Sequence, residues 1–173
     1  METNENVPGD PLPKNALVVV FSYHHKNTEK IAHVIAKVLG AEVKTPQQVN
    51  PDEILEYDLV GFGSGIYSAT FDTSILDLAD RLPKVNNKKA FLFSTYGAPA
   101  FVASREFIEN NHSQIREKLK SKGYMVIGEF GCAGWNTNRF LTYFGGLNKG
   151  KPDAQDIRNA EVFARNIQQK ARG

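Results

Sequence analysis

The sequence holds a single cysteine, Cys132. An internal disulfide is therefore excluded, and a reducing, cytoplasmic setting is the expectation. No run of about 18 apolar residues occurs, so no membrane span is expected. Met1 to Asn15 carries no apolar stretch and no small-residue cleavage pattern, so no secretory leader is expected there. An excess of one charge is missing too: 21 Lys and Arg stand against 19 Asp and Glu, a formal net charge of +2. That balance gives no ground for nucleic-acid binding. Two phosphate-loop signatures are also absent. Without Gly-x-x-x-x-Gly-Lys-Ser/Thr or Gly-x-Gly-x-x-Gly, a nucleoside triphosphate and a dinucleotide are both disfavoured.

What is present reads as one α/β domain. The 173 residues suit a single core. Met1 to Lys14 holds Pro8, Gly9, Pro11 and Pro13 and few large apolar side chains, and is expected to be a mobile tail (1–14) before a domain at 15–173. Ala16 to Phe21 is continuously apolar, as a strand buried on both faces requires. Ile31, Val34, Ile35, Val38 and Leu39 then follow at helical spacing, with Gly40 as the C-terminal cap. A short extended piece, Ala41 to Lys44, comes next.

Three further units repeat the alternation. Asp58 to Ser64 reads as strand, Gly65 to Ser68 as loop and Thr73 to Leu82 as helix, stopped by Pro83. Ala90 to Ser94 reads as strand, Thr95 to Pro99 as loop and Ser104 to Ser121 as helix, with a polar interruption at Asn110 to Ser113. Tyr124 to Phe130 reads as the last strand. A Gly-rich loop, Gly131 to Lys151, is too long for a bare connection and should be functional or hold a short extra element. The closing helix begins near Pro152-Asp153, with proline tolerated in a first turn. Such alternation predicts a parallel sheet with helices on both faces and right-handed crossovers.

In such sheets ligands sit beyond the carboxyl ends of the strands, where strand order reverses. The first loop there offers Ser22, His24, His25, Lys26, Asn27 and Thr28 at a helix start, where unpaired N–H groups and the helix dipole suit a phosphate. Asn27 or Thr28 could equally be an ordinary helix cap. The loops at Gly63 to Tyr67 and Thr95 to Pro99 each pair glycine with tyrosine. Glycine allows a backbone to approach a flat ligand, and tyrosine can stack on it. Either loop alone could simply be a tight turn beside a half-buried aromatic.

Four segments together resemble the flavodoxin family. Ser22-x-x-x-x-Asn27-Thr28 is similar to its phosphate loop. Gly61 to Tyr67 and Phe93 to Pro99 are similar to its two flavin-contacting loops, and Gly145 to Pro152 resembles a segment before the last helix in one branch. The resemblance runs from about Ala16 to Lys170. It implies a flavodoxin-like three-layer sandwich with a five-stranded parallel sheet in order 2-1-3-4-5, and FMN held between the first and third strands. It further implies phosphate contacts from Ser22, Asn27 and Thr28, joined by His24 and Lys26 through backbone N–H or side chain. Ser64, Gly65, Ile66 and Tyr67 would line one side of the flavin ring, and Thr95, Tyr96 and Gly97 the other. Trp135 would cover the ring or face a partner.

The function implied is electron transfer between redox partner proteins, with two alternatives. One is an NAD(P)H-dependent quinone or flavin reductase on the same fold, and the other is a flavin-free interaction module. Flavodoxins that only carry electrons are usually acidic, whereas this chain is slightly basic, which alters the expected partner surface. A cation at Lys26 near the phosphate would ease flavin reduction. His24 and His25 have no Cys or acidic neighbour in sequence and do not read as metal ligands. Cys132 reads as a small loop-edge residue rather than a nucleophile.

Overall fold

The computed structural model describes residues 15–23, 25–102 and 104–173. The stretch read as a tail, Met1 to Lys14, and the loop residue His24 lie outside them.

Five parallel strands form the sheet. They are β1 (Ala16–Phe21), β2 (Glu42–Lys44), β3 (Leu59–Tyr67), β5 (Lys88–Tyr96) and β6 (Tyr124–Ala133). A two-residue strand, β4 (Thr70–Phe71), pairs antiparallel with the end of β3. The order across the sheet is β2-β1-β3-β5-β6. Counted by parallel strands alone, this is the expected 2-1-3-4-5. Five helices cover it: α1 (Asn27–Leu39), α2 (Thr73–Arg81), α3 (Arg105–Asn111), α4 (Ser113–Ser121) and α5 (Ala154–Arg172).

The continuous apolar strands follow from this layering, because both faces of each strand are covered. On one face Leu17, Val19, Val60, Phe62 and Leu92 pack with Ile75, Leu78 and Ala79 of α2 and Ile115 and Leu119 of α4. On the other, Val18, Val20, Phe91 and Phe93 pack with Ile31 and Ile35 of α1 and Ala160, Ala164 and Ile167 of α5. Gly40 takes a left-handed φ of 63° and its N–H bonds to Ala36 O, which ends α1. Asp72 and Asp153 cap α2 and α5 through their carboxylates.

Several boundaries differ from the sequence reading. Gly65, Ile66 and Tyr67 are strand rather than loop, because Gly65 still pairs with Thr95 and Ile66 and Tyr67 pair with β4. The turn between β3 and β4 is Ser68-Ala69, both at positive φ (50° and 62°). That is the two-residue hairpin geometry usually signalled by Asn-Gly. Thr95 and Tyr96 likewise remain in β5, and Gly131 to Ala133 remain in β6. The single helix expected over Ser104 to Ser121 is two helices joined at His112. Local bonds mark the break: Asn111 Nδ2 donates to Phe107 O, and Ser113 Oγ donates to Asn110 O. Pro152 lies one residue before the cap Asp153, outside the first turn, and the Lys151–Pro152 peptide is cis. The long loop holds the expected extra element, a 3-10 segment at Arg139–Phe144.

Two glycines of β3 are required by packing. A Cβ at Gly61 would lie 2.2 Å from the Phe91 ring, and one at Gly63 would lie 2.1 Å from the Phe93 ring. Both rings are fully buried and have little room to move. Gly63→Ala should therefore destabilise the fold by about 1–3 kcal/mol, as overpacked core positions do. Urea denaturation would check this, and an unchanged midpoint would contradict it.

Candidate functional site

The chain leaves β1 for β2 on one side and returns to β3 on the other, so strand order reverses between β1 and β3. Flavodoxin-type sheets exemplify the rule that ligands bind at this point. A cleft lies there. Ser22, Asn27 and Thr28 line it from the end of β1 and the start of α1, and Gly65, Ile66 and Tyr67 from β3. Thr95, Tyr96 and Gly97 contribute from the end of β5, and Gly134, Trp135, Asn136 and Asn138 from the segment after β6.

At the start of α1, Asn27 and Thr28 are not the helix cap. Lys26 is the residue at the cap position, in a left-handed conformation (φ 53°, ψ 31°) and with no side-chain capping bond. Asn27 and Thr28 are buried and cap nothing. Asn27 Nδ2 donates to Trp135 O at 2.9 Å, and Thr28 Oγ1 meets Thr95 Oγ1 at 2.8 Å. Among the described residues, Asn27 Oδ1 is buried without a hydrogen-bond partner. A buried, unpaired acceptor costs about 1–3 kcal/mol, so a donor from a ligand would be well received there. The N–H groups of the first helical turn have no carbonyl within the helix to bond, and they carry the positive end of its dipole.

The walls are aromatic and close to backbone. Tyr67 is half-buried, and its hydroxyl accepts from Tyr23 N at 3.4 Å. Burial pushes the Tyr96 hydroxyl up to about 12, and its ring packs edge-on against Phe107 at 5.2 Å. It is therefore a neutral wall at physiological pH. The Trp135 indole stacks on His25, with ring centroids 4.0 Å apart, and its Nε1–H donates to Gly145 O. His25 Nε2 lies 2.8 Å from Thr137 Oγ1. Two asparagines tie the fourth segment to the loop after β5: Asn136 Nδ2 donates to Gly97 O, and Asn148 Nδ2 donates to Ala98 O.

Most described residues singled out from the sequence thus meet in one cleft, and two do not. Ser64 is fully buried beneath it, where its hydroxyl donates to Gly65 O and accepts from Asp72 N. It holds the hairpin rather than lining the cleft. Lys26 points away, with its side chain 72% exposed and paired with Glu29 at 3.5 Å. The cation expected beside a phosphate is therefore turned to solvent. His24 is outside the described residues. The sequence reading missed Gly134, Asn136 and Asn138. Their signal was the Gly- and Asn-rich run Gly131 to Asn138. A Cβ at Gly134 would come within 2.7 Å of Asn27 Nδ2. Cys132 is buried at the end of β6, and that burial raises its thiol pKa and keeps it protonated.

Among the described residues no group of three or more His, Cys, Asp and Glu is placed to hold a metal ion. Nor is any described helix long and apolar enough to cross a membrane.

Comparison with known proteins agrees with this fold. A family model for the flavodoxin domain matches residues 18–164, and the chain belongs to that family. A protein of Methanocaldococcus jannaschii, described as uncharacterized, is 48% identical over 152 residues, covering 88% of this chain and 97% of its own. A flavodoxin from the domain Archaea superposes with a TM-score of 0.64 at 18% identity, over 92% of this chain and 99% of that one. The flavodoxin of Streptococcus pneumonia TIGR4 gives 0.65 at 20% identity, over 90% and 98%. At these identities the two solved structures share the fold.

Proposed function

We propose that this chain binds one FMN non-covalently in the cleft and carries electrons between redox partner proteins in the cytoplasm. The observation that carries the reading is the start of α1. Asn27 and Thr28 are buried there, cap nothing, and face the switch point of the sheet. The Ser22 and Thr28 hydroxyls and the first-turn N–H groups would hold the phosphate. Asn27 Oδ1 would accept from a hydroxyl of the ribityl chain. Backbone groups of Gly65–Ile66 and Thr95–Gly97 would meet the polar edge of the ring, and Tyr67 and Trp135 would offer it apolar faces. When bound, FMN would supply the redox chemistry, taking and giving electrons singly.

A protein partner also suits the surface around the cleft. Of eight exposed large apolar side chains among the described residues, five lie on loops at this end of the sheet. They are Tyr23, Phe101, Val102, Tyr143 and Phe144. Exposed apolar groups gathered around a site mark docking surfaces. Charge contributes little, because Lys151 is committed to Asp153 and Asp156 and Lys26 to Glu29.

FMN titration followed by stepwise photoreduction tests the reading. FMN fluorescence should be quenched with a Kd below about 1 μM, or about −8 kcal/mol. The visible spectrum should then change in two resolved one-electron stages. No quenching would remove the flavin, and steady NAD(P)H consumption with a quinone would replace the carrier by a reductase.

A further inference from the structure

A chain of buried polar groups lies behind the cleft and has no role in the function proposed above. Ser94, on β5, is 1% exposed, and His112, at the α3–α4 junction, is 0% exposed. Ser94 Oγ lies 2.8 Å from His112 Nε2, and His112 Nδ1 lies 3.0 Å from Glu129 Oε2 on β6. Arg116 of α4 grips the same carboxylate, with Nε 2.5 Å from Oε1 and Nη2 2.8 Å from Oε2. Its Nη2 also donates to Glu109 O.

The direction of these bonds can be deduced. Burial alone would raise the Glu129 carboxyl, but hydrogen bonds from Arg116 and His112 bring it down to about 2. An ionised carboxylate only accepts, so His112 carries its proton on Nδ1. Burial lowers the His112 pKa below 6.5, so the ring is neutral at physiological pH, Nε2 is an acceptor and the Ser94 hydroxyl donates to it.

Serine, histidine and carboxylate stand here in the order of a nucleophilic triad. Access rules out that use. Ser94 is 1% and His112 0% exposed, so no substrate reaches the hydroxyl. Phe71 closes the imidazole edge-on at 5.1 Å.

What the chain does hold is the end of β5. Ser94 immediately precedes Thr95, Tyr96 and Gly97, which line the cleft. The β5–β6 ladder is irregular upstream, between Ala90 and Phe91. The helix layer grips this strand end twice: Phe107 under Tyr96, and His112 under Ser94.

We propose that His112, oriented by Glu129 and Arg116, is a positioning residue for the cofactor cleft: through Ser94 it holds the Thr95–Gly97 backbone in the one arrangement that meets the flavin ring. The flavin part of this proposal rests on the FMN reading above; the backbone part does not.

Three variants test it: Ser94→Ala, His112→Phe and His112→Gln. A glutamine amide can donate to Glu129 and accept from Ser94, so it reproduces the neutral imidazole. Two readouts are needed, amide hydrogen exchange at Thr95–Gly97 without flavin, and FMN affinity. Ser94→Ala and His112→Phe should speed exchange about 10-fold and weaken FMN about 10-fold, a change of about 1.4 kcal/mol in each. His112→Gln should restore both. Ser94→Ala removes only one oxygen and serves if His112→Phe does not fold. Unchanged exchange in Ser94→Ala, or no rescue by His112→Gln, overturns the proposal. If the parent chain binds no FMN, the FMN reading fails, and the exchange experiment still decides whether His112 positions the strand end.

Discussion

Asn27→Asp should weaken FMN binding about 100- to 1,000-fold while changing riboflavin binding far less. Asn27 is buried at the positive end of α1, and its Oδ1 has no partner among the described residues. The substitution keeps the shape and adds a negative charge where a phosphate would sit. Two like charges about 4 Å apart repel by about 4 kcal/mol at an effective dielectric constant of about 20, and each 1.4 kcal/mol is a factor of about ten in affinity. Riboflavin lacks the phosphate and escapes most of that repulsion. The variant also loses the Nδ2 donor to Trp135 O, which would cost both ligands alike. Parallel titrations with the two flavins separate the effects. Equal losses would mean that Asn27 acts only through Trp135 and the ribityl chain, which both flavins share, and that no phosphate lies near it.

Glu129→Ala should lower stability by about 1.5–3 kcal/mol at neutral pH, the usual cost of removing a charged hydrogen-bond acceptor and leaving the buried His112 Nδ1–H without a partner. The substitution strands the Arg116 guanidinium and the Nδ1–H of His112, both largely enclosed. Urea denaturation at pH 7 would measure the loss, and a change below about 1 kcal/mol, the worth of a surface pair, would contradict it.

The same groups predict the acid behaviour of the parent chain. Glu129 has a pKa lowered from 4.5 to about 2 in the fold. Its contribution is complete above 4.5 and is lost as pH falls from there toward 2. Burial lowers the His112 pKa below 6.5, against the upward pull of Glu129. Between its folded pKa and 6.5 the unfolded chain binds more protons, so stability begins to fall as pH drops below 6.5. Acid destabilisation should thus start below about 6.5 and steepen below 4.5. In Glu129→Gln the steepening due to this carboxylate should disappear.

Much of the layered fold was legible because burial on both faces writes itself into a strand as an unbroken apolar run. Ala16–Phe21 and Phe91–Phe93 are such runs, and both are central in the sheet. Helix ends marked by Gly40 and Asp153 were equally local in cause. Boundaries failed where pairing, not composition, decided them. Nothing in Gly65-Ile66-Tyr67 announces a strand, since its partners are Thr95 and the two residues of β4. The Ser68-Ala69 turn carries no Asn-Gly signal, yet takes that geometry because the strands on either side require it.

The cleft divides in the same way. The Ser22–Thr28 loop and the two glycine–tyrosine segments could be named from residue type and order. That Asn27 and Thr28 turn inward could not, because each direction is set by a bond made elsewhere. Asn27 reaches Trp135, 108 positions away, and Thr28 reaches Thr95, 67 positions away. The Ser94–His112–Glu129 chain joins residues 18 and 17 positions apart across two strands and a helix junction. Apolar periodicity is a property of each segment, so the sequence by itself determined the layers, their order of alternation and the family resemblance. Hydrogen-bond partnership belongs to pairs brought together by folding, so only the tertiary structure decided which polar side chains face the cleft and which of them stand behind it.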